Sequence, residues 1–244
     1  MESPVPRPVP YSAIAAWIAS SCRLVVRKAH YWVALDLLLF ACAIALTFVP
    51  WIGNWLRGIA GQVSGAFLLA LAHSQATERH ISVRRALSMV DAVLPTVLLI
   101  SVLQVALFEA VELPILYAIA TPEEFAVYAF SDLRAAHPRP AVDLVHSAIG
   151  IALGTVFAFA VPLALFERTG AVRSLRLSVA AFARSPGVYL VFAVATALVP
   201  HSLAYLGAAG ALFFIALEIF VVAAGYFAFR SAFGDLPLAD QARP

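Results

Sequence analysis

The chain has 244 residues, of which 63% are hydrophobic and 12% charged, and its formal net charge is +2. A soluble domain carries about 25% charged residues, and these few cannot build the polar shell that a globule of this length needs in water. Composition therefore excludes an ordinary soluble domain and makes hydrocarbon the natural solvent of the chain.

Residues 1–11 are rich in proline and lack an apolar core beside a cleavage site, so they are expected as a flexible tail rather than a signal peptide. Residues 12–28 place Ile14, Trp17, Ile18 and Val25 on one helical face and end in Arg23, Arg27 and Lys28, the pattern of a helix lying in a membrane interface. A first span is predicted over 31–49, and Pro50 to Asn54 reads as a tight turn flanked by Trp51 and Trp55, suited to an aromatic belt. The second span, 56–72, contains Gly61 and Gly65 in a GxxxG pair that would let two helix backbones approach closely. A hydrophilic stretch, His73–Arg85, follows. Cys22 and Cys42 lack metal-ligand spacing and are expected as small buried apolar side chains rather than a disulfide.

A second amphipathic segment, 82–91, puts Val83, Ala86, Leu87 and Val90 on one side and Arg84 and Arg85 on another. It leads into a third span, 92–113, at whose end Pro114 is expected to kink the chain. Thr121-Pro122-Glu123-Glu124 has the form of a helix N-terminus, so a short surface helix to about Leu133 is predicted, broken by Pro138 and Pro140. The fourth span, 142–166, carries a second GxxxG pair, Gly150 and Gly154. A third amphipathic segment, 171–184, gathers Val172, Leu175, Val179 and Phe182 on one face and Arg173, Arg176 and Arg184 on the other. Spans at 188–205 and 212–229 complete the chain, with a turn at Gly207–Gly210 and a frayed cytoplasmic tail from Ser231.

The expected fold is all-α: a single membrane domain, 12–230, with six transmembrane helices in three pseudo-repeats, each an interfacial helix followed by a transmembrane hairpin. With the N-terminus inside, thirteen Lys and Arg residues fall on one side and three (Arg57, Arg134, Arg139) on the other. The positive-inside rule then puts both termini in the cytoplasm. Arg23, Arg27, Lys28, Arg84, Arg85, Arg173, Arg176 and Arg184 can meet anionic lipid headgroups or a partner protein, or serve only as topology signals.

Several stretches carry a resemblance. Ala16-Trp17, Val49-Pro50-Trp51-Ile52-Gly53, Gly65-Ala66 and Val83 to Leu87 resemble a family of small proteobacterial inner-membrane proteins with six spans and no assigned activity. The segment Arg173-Ser174-Leu175-Arg176-Leu177-Ser178 before a span is similar to segments of YciC-like proteins and of the membrane domain fused to some glycerophosphodiester phosphodiesterases. These residues contain no phosphodiesterase domain, so the resemblance implies no hydrolase activity.

Ionisable residues within spans are functional candidates by default. Glu109, Glu112, His146, His201 and Glu218 are all expected in the periplasmic half, and together they could hold a divalent cation or relay protons, or simply hydrogen-bond one another. Asp36 is expected to stand apart, beside His30 or a rim arginine. There is no HExxH, Walker A or GxGxxG motif and no aromatic-basic interleaving, so no cofactor and no nucleic-acid partner is expected. The leading expectation is a non-enzymatic accessory, scaffold or lipid-interacting subunit, partnered by membrane lipids and by another membrane protein or a second copy. The alternatives are a small transporter or channel using the Glu/His cluster and, remotely, an intramembrane enzyme built on Ser64.

Overall fold

The computed structural model describes residues 5–47, 49, 52–78, 81–130, 139–204 and 207–234, with the side chains of 47, 54, 127–130, 197–204 and 207–216 outside the description. Among the described residues the chain is helical throughout, in the order α1 (Ser12–Val26), α2 (Ala29–Thr47), α3 (Gly53–Glu78), α4 (Val83–Asp91), α5 (Leu94–Ile119), α6 (Pro122–Phe130), α7 (Pro140–Val156), α8 (Ala160–Glu167), α9 (Ala171–Arg184), α10 (Pro186–Ala204) and α11 (Gly207–Phe233).

Most helix ends have a local cause. Ser82 caps α4, its hydroxyl accepting from the Arg85 N–H at 3.3 Å. Proline stands in the first turn of α5, α6, α7 and α10, where its missing N–H costs nothing. The expected span 142–166 is instead two helices, α7 and α8, interrupted at Phe157–Phe159. Pro162 explains the break: its ring cannot donate to the carbonyl of Ala158 and clashes with it. Ser178 of α9 meets the exposed backbone, accepting from the Phe159 N–H at 3.1 Å and donating to the Val156 carbonyl at 2.9 Å.

Other boundaries differ from expectation. Pro114 does not end α5, which continues to Ile119. The helix of the second span does not end at 72: His73–Glu78, the start of the hydrophilic stretch, forms the last turns of α3. Gly207–Gly210 begins α11 rather than forming a turn, and α11 runs on to Phe233, burying Ala232 and Phe233 where a frayed tail was expected. Residues 5–11 are held rather than loose: the Arg7 N–H donates to the Ala232 carbonyl at 2.7 Å and the Val9 N–H to the Ser185 hydroxyl at 2.8 Å. Cys22 and Cys42 are exposed and unbonded to each other. Pro50, Trp51, Arg79 and Arg134 lie outside the described residues, as do Leu133 and the tail from residue 235.

Among the described residues, four stretches are long and apolar enough to cross a membrane: Ala29–Leu46, Trp55–Glu78, Leu94–Ile119 and Pro140–Glu167. A fifth is added if α9 and the start of α10, which meet at 99°, count as one bent span. Only 11% of the first window and 17% of the third is buried within the chain. Their remaining apolar surface, including Leu37, Leu38, Leu98 and Leu99, is far larger than a soluble monomer leaves to water. A multi-pass membrane protein is the consequence.

The long helices pack around α3, α8 and α11. α3 touches both of the others, and Phe166 of α8 meets Tyr226 and Phe229 of α11 at ring-centroid distances of 5.9 and 5.5 Å. α4 lies on α3, α9 on α8, and α1 on α11. α5 bridges α3 and α7, α10 bridges α7 and α11, and α2 bridges α3 and α11, so the last helix closes back on the first two.

Candidate functional site

One end of the bundle collects the amphipathic helices. The first turns of α2 and α10, the last turns of α3 and α11, and α1 and α9 all meet there. Trp32 donates to Gln75 Oε1 at 2.8 Å, Gln75 donates on to the Leu24 carbonyl at 2.6 Å, and Trp17 donates to Ser231 at 2.9 Å. His73 Nδ1 lies 3.1 Å from the Tyr226 hydroxyl, and the Arg230 guanidinium sits over the Tyr226 ring at 5.9 Å. The sequence pattern hid these residues because a polar cluster after an apolar run looks like a loop. Here it is a buried knot that locks four helices together.

The amphipathic helices have three faces rather than two. On α9 the stripe turned to the bundle is Ala171, Ser174, Ser178 and Ala181, all buried, while Val172 and Val179 are exposed. Small residues let α9 lie close to α8, and its serines satisfy backbone and hydroxyl groups across the contact. On α4, Ala86 and Val90 are buried while Val83 and Leu87 are exposed. The expected apolar faces therefore do not pack into the bundle as units; much of each is left for lipid. The third face is basic. Arg23, Arg27, Arg84, Arg176 and Arg184 are exposed, and Lys28 is half-buried. Arg85 differs from its neighbours in pairing with Glu78, the last residue of α3.

The opposite end carries Glu112 and Glu124. Glu112 of α5, 2% exposed, pairs with Nδ1 of His146 on α7, and Phe108 meets the His146 ring edge-on at 5.5 Å. Glu109, one turn earlier on α5, shares the electrostatic surroundings of this pair. Beyond it, Glu124 at the start of α6 accepts from the Arg139 side chain at 2.8 and 2.9 Å and from the N–H groups of Arg139 and Thr121, each at 2.8 Å. With Thr121 Oγ1 accepting from the Glu124 N–H at 3.3 Å, this is a capping box tied to the start of α7.

The expected five-residue cluster is divided. Glu109, Glu112 and His146 come together, but the electrostatic neighbour of Glu218 is Asp36, on α2. Asp36 is thus not isolated at the rim; it is 2% exposed, and its Oδ2 has no hydrogen-bond partner among the described residues. The backbone of His201 lies on α10 while its side chain falls outside the described residues. No group of three or more His, Cys, Asp or Glu residues converges as a metal site among the described residues.

The glycines also depart from expectation. A Cβ added at Gly61, Gly65 or Gly154 would meet nothing within 4 Å, and one at Gly150 would touch only the Phe108 ring at 3.7 Å. Among the described residues, no neighbouring helix stands over the missing Cβ of Gly61, Gly65 or Gly154. Gly65, Gly150 and Gly154, with Gly225, instead border a cavity of about 310 Å³ between α3, α7, α8, α10 and α11. A second cavity of about 220 Å³, lined by Gln62, Gln104 and Phe108, lies between α3, α5 and α7. A glycine that does permit close approach of two helices is Gly58, where a Cβ would stand 2.9 Å from Val105 Cγ2 of α5.

No family model, curated protein or solved structure matches the chain.

Proposed function

We propose that the chain is a non-enzymatic inner-membrane protein that crosses the bilayer six times and works as a lipid-interacting scaffold or accessory subunit. Both termini and the three amphipathic helices belong on the cytoplasmic side. The resemblance to six-span inner-membrane proteins of unassigned activity fits this reading and adds no chemistry to it.

The observation that carries the proposal is the shared placement of α1, α4 and α9, each with a bundle-facing, a lipid-facing and a basic face. A helix lying at the interface needs those three faces, and the 99° angle between α9 and α10 is what a surface helix turning into a span requires. The packing order supports three pseudo-repeats about an axis along the membrane normal. Each amphipathic helix lies on the last helix of the preceding unit, and α1 closes the ring on α11.

The test is the lipid retained through purification in mild detergent, quantified by mass spectrometry. Each exposed arginine near an anionic surface contributes about 1 kcal/mol. Phosphatidylglycerol is expected to be enriched over phosphatidylethanolamine in the native protein. Replacing Arg23, Arg27, Arg84, Arg176 and Arg184 by Gln should remove the enrichment. An unchanged lipid ratio in that variant overturns the headgroup reading. A stoichiometric protein partner in the same preparation would identify the scaffold form of the role.

The Glu112–His146 pair favours transport as a second reading, since a buried acid paired with a half-buried imidazole can pass a proton. Proton flux in proteoliposomes that is lost in Glu112→Gln would establish it, and no flux above empty vesicles would dismiss it.

A further inference from the structure

The cavity behind the glycines is a feature that headgroup binding leaves unused. Its lining is almost entirely carbon: Leu69, Ile151, Phe159, Phe192, Val221 and Val222 among others. The hydroxyls of Thr155 and Thr196, which also line it, are bonded to carbonyls of their own helices, at 2.5 Å to Ile151 and 3.0 Å to Phe192. Tyr189 is different. It is 5% exposed, it lines the cavity, and its hydroxyl has no hydrogen-bond partner among the described residues. Its ring is fixed by stacking on Trp17 of α1, centroids 6.2 Å apart and nearly parallel, and by the edge of Phe159 at 5.2 Å.

Three physical facts narrow the occupant. The glycines are not there for helix contact, since a Cβ at Gly65, Gly154 or Gly225 would meet open space. An apolar void is unfavourable to fill with water and forfeits dispersion contacts while empty. About 310 Å³ is at the lower end of the range for ligand pockets, about 300–1,000 Å³, which suits one chain rather than a whole lipid. The surrounding medium supplies one molecule of that description in abundance. The cavity is partly open and runs inward from Tyr189, at the start of α10 near the basic end, towards Gly150 and Val221.

We propose that this cavity holds one acyl chain of a phospholipid from the leaflet where α1, α4 and α9 lie, with the Tyr189 hydroxyl donating to the ester carbonyl at the head of that chain. The inference deepens the lipid-binding reading and rests on it for the leaflet, but it concerns the chain rather than the headgroup.

The full-length protein in vesicles is labelled with a phosphatidylethanolamine carrying a diazirine on one acyl chain, then irradiated and mapped by peptide. Crosslinks are expected between Gly150 and Ala158, on the end of α7 and the break after it, and on α11 between Val221 and Ala228. Gly154→Leu and, independently from another helix, Gly225→Val should each lower them roughly tenfold, the effect of about 1.4 kcal/mol. Labelling of the lipid-facing residues Leu98 and Leu99 should stay constant. Two variants are used so that one folding failure, read by helical circular dichroism and gel filtration, leaves the other to decide. Tyr189→Phe should lower cavity labelling by the phospholipid but not by a diazirine alkane. Crosslinks confined to lipid-facing residues, or cavity crosslinks undiminished from the native level in both glycine variants, overturn the proposal, as does cavity labelling by a diazirine fatty acid with none by the phospholipid. The headgroup reading has its own readout: the five-arginine variant should lose phosphatidylglycerol enrichment while its cavity crosslinks persist.

Discussion

At the scale of single residues, Glu124 shows how one carboxylate fixes a boundary. The Arg139 side chain above all, then the Thr121 and Arg139 N–H groups, hold its carboxyl at about 2, below the ordinary 4.5. A carboxyl lowered in the folded state contributes stability that is complete above its unfolded value and is lost as pH falls through the folded one. The clasp between α6 and α7 should therefore be intact above about pH 4.5 and open as pH falls towards about 2. Glu124→Gln should expose the 121–139 segment to protease already at pH 7. Equal cleavage of variant and native protein would show that the clasp does not hold this segment. Thr121 and Glu124 are near enough in sequence for their pairing to be read from it, whereas the arrival of Arg139 is not, because it depends on how α7 returns to the bundle.

At the scale of helices, the glycines separate two uses of a small residue. Gly58 sets the distance between α3 and α5, and Val105, β-branched and stiff, has little freedom to move aside. Gly58→Ala should lower unfolding stability in detergent by about 1–3 kcal/mol, the usual penalty of overpacking. Gly61→Ala and Gly65→Ala should be neutral or slightly stabilising, by up to about 1 kcal/mol, because alanine favours the helix and the space is open. The reverse order would mean that the GxxxG pairs form contacts after all. Both kinds of glycine look alike in sequence; what distinguishes them is whether a neighbouring helix stands over the missing Cβ.

At the scale of the whole molecule, topology follows from charge. A reporter fused after residue 244 should remain cytoplasmic, and one inserted after Ile119 should be exported, as the distribution of arginine demands. An exported carboxyl-terminal reporter would reverse the assignment of the basic helices and remove the ground for cytoplasmic headgroup binding. An even number of crossings is the requirement that this experiment probes most directly.

The sequence by itself determined the medium, the basic helices and most helix starts. These depend on local, additive quantities: apolar content over a window, proline or a capping hydroxyl at a first turn, and arginine counts between apolar runs. Only the tertiary structure decided that Glu218 faces Asp36 rather than Glu112 and His146, that His73 and Gln75 are buried, and that α9 turns its serines to the bundle. It also decided that Gly65 and Gly154 border a cavity. Each of these is set by the rotation of a helix about its own axis and by the helix it meets. In a span that is apolar on every side, no periodicity records that angle; it is fixed by packing between helices distant in the chain.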